Sequence, residues 1–238
     1  MAFAHVQSVM NTAAAATSCV ITVAATSVGN IVCVGIKLSN TTSPPTNVAV
    51  NDDKGNTYSD TGLTVTGAAL AYDTFQFYGI QATGGTTSVT VSWTNTQNAR
   101  CGASEFSGTT ADQANVYETG ATGENTSGVT AAAVATFSPT SGNLIFAFYG
   151  LGGGGSSITA GTNYLVGVFN SNGSSEYRLS SGGSETAPLT WTTNMTFRGS
   201  AGSYRPANPA GGAVNRIRFP GQVSAMGVGG MLGGNRYN

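Results

Sequence analysis

Gly84-Gly85-Thr86-Thr87-Ser88-Val89-Thr90-Val91-Ser92-Trp93 is the stretch that decides the fold class. From Ser88 the hydroxyl residues Ser88, Thr90 and Ser92 alternate with Val89, Val91 and Trp93. Successive side chains on a strand point to opposite faces, so this period of two makes one apolar face and one hydroxyl face. Gly84-Gly85 supplies the turn that starts it.

The same grammar repeats in both directions. Upstream, Cys19–Ala24 is rich in Val, Ile and Thr, Ile31–Leu38 is an apolar run, and Thr74–Ile80 is aromatic. Asn51-Asp52-Asp53-Lys54-Gly55-Asn56 is a turn sequence closing Thr46–Val50. Downstream, Arg100–Phe106, Val129–Phe137, Asn143–Leu151, Tyr164–Phe169, Ser175–Ser180, Ala187–Trp191 and Met195–Ser203 read as further short strands. No segment carries a helical stripe. Many short strands separated by Gly, Asn and Ser turns predict an all-β, antiparallel two-sheet sandwich, jelly-roll-like, spanning 18–204. Residues 1–17 are Ala-rich and predict an N-terminal arm or an edge strand. Thr26-Ser27-Val28-Gly29-Asn30-Ile31-Val32 is echoed by Pro139-Thr140-Ser141-Gly142-Asn143-Leu144-Ile145. The echo predicts two equivalent central strands of one sandwich rather than two tandem domains, since each half offers few strands by this reading.

Charge divides the chain unevenly. All ten acidic residues precede Phe197; against Lys37, Lys54, Arg100 and Arg178 they give −6 for residues 1–197. Arg198, Arg205, Arg216, Arg218 and Arg236 give +5 for the rest. Arg198 is expected to close the last strand, so a Pro/Gly-rich basic arm begins at 205 and runs to 238. Its composition is too polar to hold a core alone. Its four arginines with no lysine are sparse for nucleic-acid binding. Apolar residues lie between them, which favours docking on protein: Arg205, Arg216, Arg218 and Arg236 would meet carboxylates, and Ile217, Phe219, Met226, Met231 and Leu232 would fill apolar pockets.

Only 8% of residues are charged, where about 25% is ordinary, so the surface is solvated by hydroxyls, amides and backbone. Such surfaces suit exported or virion β proteins, or a protein largely covered by neighbours. The longest apolar runs, such as Leu144–Leu151, fall far short of the ~20 residues of a membrane span. The N-terminus has neither a basic region nor a long apolar region, so no secretory signal is expected. Assembly in a host cytoplasm and release by lysis would reconcile the two observations.

The order of elements resembles a loosely defined β-sandwich family of phage structural proteins and bacterial surface or secreted proteins. The matching residues are Gly29-Asn30, Asp52-Asp53-Lys54-Gly55-Asn56-Thr57-Tyr58, Phe75–Tyr78, Gly84–Val91, Glu105-Phe106-Ser107-Gly108 and Glu176-Tyr177-Arg178. The resemblance covers about residues 18–203 and not the arm. It implies a fold, and it carries no catalytic signature.

Few residues offer chemistry. His5 is the only histidine, which excludes a multi-histidine metal site and a histidine-based triad from the chain. Asp52 and Asp53 have oxygens suited to Ca²⁺, but an Asx-stabilised hairpin turn is the simpler reading. Glu105 and Glu176 could serve as an acid and base only if the fold united them; surface or ion-pair roles with Arg100 or Arg178 are favoured. Trp93 and Trp191 each end an alternating strand and are expected in the core. Cys19, Cys33 and Cys101 fit no metal spacing, and Cys33 is expected as a buried core thiol. The chain therefore reads as a non-enzymatic virion structural protein of a phage, without cofactor: capsid decoration, collar or tail accessory. It would assemble as a homo-oligomer and on other virion proteins through its arm. Recognition of a surface glycan by a carbohydrate-binding sandwich is the alternative.

Overall fold

The computed structural model describes residues 2–39, 44–109, 112–153, 157–170 and 172–207. Twelve strands and one helical turn follow in order: β1 (Ala4–Thr22), β2 (Ile31–Ser39), β3 (Ala49–Asp52), β4 (Tyr58–Asp60), β5 (Asp73–Ile80), β6 (Ser88–Ser107), α1 (Gln113–Val116), β7 (Tyr117–Ala132), β8 (Leu144–Gly152), β9 (Ile158–Ala160), β10 (Leu165–Asn170), β11 (Gly173–Leu179) and β12 (Leu189–Tyr204). The fold is all-β, with two antiparallel six-stranded sheets.

Each sheet draws its strands from one half of the chain. The first is ordered β1-β6-β2-β5-β4, with β3 also on β6; the second is ordered β7-β12-β8-β11-β10, with β9 also on β12. The two orders are the same plan used twice. This sequential segregation departs from the jelly-roll-like expectation. The register matches residue by residue. Ile31 faces Phe106 and Ile80, and Leu144 faces Tyr204 and Leu179. The echoed turns thus lead into equivalent strands, β2 and β8. Gly29 and Gly142 both take positive φ, near 80° and 84°. The following asparagines are buried and each donates to a carboxylate: Asn30 Nδ2 to Glu105 Oε1 and Asn143 Nδ2 to Glu118 Oε2, both 2.6 Å. Each half holds a full six-stranded sheet, and Met1–Asn208 form one compact unit.

Two long strands each read in the sequence as a pair, for one cause. β6 joins the stretches read separately as Thr86–Trp93 and Arg100–Phe106, and β12 joins Ala187–Trp191 to Met195–Ser203. The polar residues between them, such as Thr94-Asn95-Thr96, look like a turn but lie on a bent strand. Register shifts opposite this bend fall between Ala13 and Ser18 in β1, and between Thr190 and Met195 in β12. Bulges of this kind turn a sheet sharply. The two bends are built alike. Trp93 Nε1 donates to Ala16 O at 3.1 Å, and Trp191 Nε1 donates to Val129 O at 2.7 Å. Both indoles are buried, as expected of the two tryptophans.

Folding at the bends gives each half its own apolar core. One gathers Ile21, Val34, Ile36, Val89, Val91 and Trp93; the other gathers Ile145, Tyr149, Leu151, Leu189, Trp191 and Phe197. A third core lies between the sheets and takes Ile31, Cys33, Tyr78 and Phe106 from the first half and Leu144, Phe146, Phe148 and Tyr204 from the second. Cys33 is buried there, while Cys19 and Cys101 lie in the first half's core; all three are free thiols. The face-to-face contact is close to two-fold symmetric. His5 stacks on Tyr177 at 4.7 Å and meets Phe106 edge-on; at the equivalent place Tyr117 stacks on Tyr78 at 5.9 Å and meets Tyr204.

Candidate functional site

Two arginines occupy equivalent register positions at this interface, and their surroundings differ. Arg198 faces Gly150 across β12 and β8; Arg100 faces Lys37 across β6 and β2. Arg198 was expected at the end of its strand. It instead sits mid-strand and is 1% exposed, because β12 continues to Tyr204. Its guanidinium is fully engaged. Nη1 contacts Asp73 Oδ1 at 2.9 Å and donates to Tyr72 O; Nε contacts Glu124 Oε2 at 3.1 Å; Nη2 donates to Gly67 O at 3.2 Å. Burial raises the Asp73 carboxyl above its ordinary value despite the Gly67 amide and Arg198. The other Asp73 oxygen is buried without a partner, and removing one member of such a buried pair is costly because it strands the other.

Around Arg100 the equivalent positions are neutral or cationic. Counting along the paired strands, Asn172 stands where Asp73 stands, and Thr12 stands where Glu124 stands. Lys37 stands where Gly150 stands. Lys37 is 5% exposed, donates to Leu151 O and lies 4.4 Å from the Tyr72 ring centroid. Desolvation, followed by the charge of Arg100, lowers its pKa to about 8. Arg100 Nη1 bends back to Ala99 O at 2.9 Å, and its buried Nε has no partner. Among the described residues, neither cation pairs with a carboxylate. The Arg178 ion pair is with Glu185, at 3.2 Å, not with Glu105 or Glu176.

The two glutamates considered as an acid–base pair lie in different halves. Each points to the side of its sheet turned away from the other sheet. Glu105 accepts from Ser27 N, Asn30 Nδ2 and Gln7 Nε2. Glu176 is fully buried and accepts from Gly161 N at 3.1 Å; its other oxygen has no partner, and burial raises its pKa to about 8. Asp52 and Asp53 both direct their oxygens onto the turn's own backbone and hydroxyls. Asp52 accepts from the amides of Lys54 and Asn56 and from Thr86 Oγ1, and Asp53 accepts from Thr87 and Ser88, so the pair locks a turn. Among the described residues no group of three or more His, Cys, Asp or Glu side chains is placed to hold a metal. No helix among them is long and apolar enough to cross a membrane.

Of the arm residues named from the sequence, only Arg205 lies among the described residues; Arg216, Ile217, Arg218, Phe219, Met226, Met231, Leu232 and Arg236 lie outside them. The point where the chain leaves β12 is held firmly. Arg205 N donates to Val116 O at 2.7 Å, its Nη1 donates to Asn115 O at 2.9 Å, and its Nη2 lies 3.8 Å from Glu118 Oε1. Burial would raise the Glu118 carboxyl, but hydrogen bonds from Thr140 and Ser203, with Arg205 beside it, hold it below its ordinary value. Ala207 N then donates to Gly108 O at 2.7 Å.

A second surface feature lies where β10 forms an edge. Phe3, His5, Phe106, Leu165, Tyr177 and Leu179 line an apolar groove of about 270 Å³. Leu165 is 60% and Leu179 43% exposed. The groove has no signature in the sequence, because these residues come from four separate segments. The Lys37–Arg100 pairing was also missed. Its one local signal is a lysine inside the apolar run Ile31–Leu38. Comparison of the chain with protein families, with curated proteins and with solved structures returns no match.

Proposed function

We propose that this chain is a non-enzymatic structural protein of a phage virion, a capsid decoration, collar or tail accessory. In this reading residues 205–238 form an extended arm that fastens to neighbouring copies and to other virion proteins. The observation that carries it is the clamped exit at Arg205–Ala207, where backbone and guanidinium bonds hold the start of the segment against α1 and Gly108. A fixed exit directs a following segment and lowers the entropy lost when it docks. The segment's alternating arginines and apolar residues, with no acid, match an acidic partner surface with apolar pockets. The charge-poor, hydroxyl-rich body suits a surface that neighbours cover.

Mass spectrometry of purified phage particles should detect the chain at stoichiometric level. Truncation after Ala207 should leave the melting temperature of the body unchanged and abolish both incorporation and self-association by sedimentation. A truncated chain that incorporates normally overturns the docking role, and absence from particles overturns the virion assignment.

Recognition of a surface glycan is the second reading. It is favoured by the groove beside His5 and Tyr177, which offers an aromatic stack and apolar walls at an open sheet edge. Retention on polysaccharide, lost in Tyr177→Ala, would support it.

A further inference from the structure

We infer that the cavity beside Lys37 and Arg100 binds a small carboxylate-bearing anion. The cavity, about 460 Å³, is lined by Thr12, Lys37, Ser39, Asn98, Arg100 and Asn172. It therefore presents two cations and a ring of hydroxyl and amide groups, with no acid.

The internal repeat gives the reason. At the equivalent place in the second half, one arginine is neutralised by two built-in carboxylates, Asp73 and Glu124. Around Arg100 both acids are replaced, by Asn172 and Thr12, and a second cation, Lys37, is added. One site carries its own anions; the other has the cations without them. Lys37 and Arg100 are direct cross-strand partners, and like charges so placed repel. Leu151 O and the Tyr72 ring offset part of the cost of burying Lys37. The Arg100 Nε remains buried and unsatisfied, which is costly for a charged donor. An anion in the cavity would separate the two positive charges and accept from the Arg100 guanidinium, Asn98, Asn172 and the hydroxyls. A carboxylate fits because the planar guanidinium fork matches it, and because carboxylates fill the equivalent site. Candidate ligands are small organic acids and the carboxylate of an acidic sugar; both share this chemistry.

Isothermal titration of the full chain at constant ionic strength tests the assignment, with malonate, glucuronate, glucose and inorganic phosphate as probes. One-site saturable binding of malonate or glucuronate is expected, with no heat from glucose. Malonate alone points to organic acids, and tighter glucuronate points to acidic sugars. Arg100→Gln should weaken binding at least tenfold. Thr12→Glu, which installs the counterpart of Glu124, should block binding and raise the melting temperature by filling the site from within. The inference is overturned if neither carboxylate binds saturably, if both variants bind like the parent chain, or if phosphate binds more tightly than either carboxylate.

Discussion

Phe148 packs onto the bare backbone of Gly35: a Cβ built at residue 35 would lie 2.2 Å from the Phe148 ring. The two are equivalent positions of the repeated plan, on β2 and β8, at the centre of the contact between the sheets. Two residues further on, Lys37 lies over Gly150, its own equivalent, where a Cβ would come within 3.1 Å of the lysine stem. A large side chain in one half meets glycine in the other, twice, in opposite senses. Two identical halves could not do this, because they would put Phe on Phe or Gly on Gly. The halves are therefore specialised for each other, and the charge asymmetry at Lys37 belongs to the same specialisation.

Gly35→Ala should destabilise the body by about 1–3 kcal/mol through overpacking against Phe148. The double variant Gly35→Ala/Phe148→Leu should be more stable than the sum of the single effects predicts, since the partners touch. Urea denaturation of the four species measures the coupling; simple additivity would show that Phe148 does not occupy the space over Gly35.

Arg198→Met should cost about 3–5 kcal/mol, because it leaves Asp73 buried without its cation. Adding Asp73→Asn should recover a large part of that loss. Chemical denaturation at neutral pH checks both, and a double variant no more stable than Arg198→Met would remove the ion pair as the cause.

Glu176 predicts a pH dependence of defined sign. Its folded pKa, about 8, lies above the 4.5 of the exposed group, mainly through burial. Between these values the folded chain holds a proton that the unfolded chain has released, so stability falls as pH rises across that window and is flat beyond it. The total is roughly 5 kcal/mol at about 1.4 kcal/mol per unit. Glu176→Gln should flatten the profile and be more stable than the parent above pH 8. Melting curves from pH 4.5 to 9 report this directly.

Ala15 and Gly128 sit at equivalent places in the two bends, both with positive φ, 46° and 78°. The left-handed region is strained for alanine and free for glycine. Ala15→Gly should therefore stabilise by up to about 1 kcal/mol, whereas Gly128→Ala should destabilise by about 1–2 kcal/mol. Opposite signs in paired thermal melts are the expected outcome.

Local pattern was enough to make this chain all-β. The alternation in Ser88–Trp93, the apolar runs at β2 and β8 and the Gly-Asn turns before them are written in neighbouring residues, and strand period and turn chemistry are local properties. The sequence also placed Trp93, Trp191 and Cys33 in the core, since an apolar position on an alternating strand has one face to enter. It did not separate a bend from a turn, so β6 and β12 read as two strands each: a polar run such as Thr94–Asn98 looks the same on a folded-over strand as in a loop. The echo at Asn30 and Asn143 was visible, but its meaning as a repeat of six strands rests on pairings between residues far apart in the chain. The same limit hid the candidate site. Lys37, Arg100, Asn172 and Thr12 carry no spacing signature, and Arg198 looked like the end of a strand. Only cross-strand register and the packing of one half on the other bring two cations together without an acid, and burial then gives that pairing its electrostatic cost.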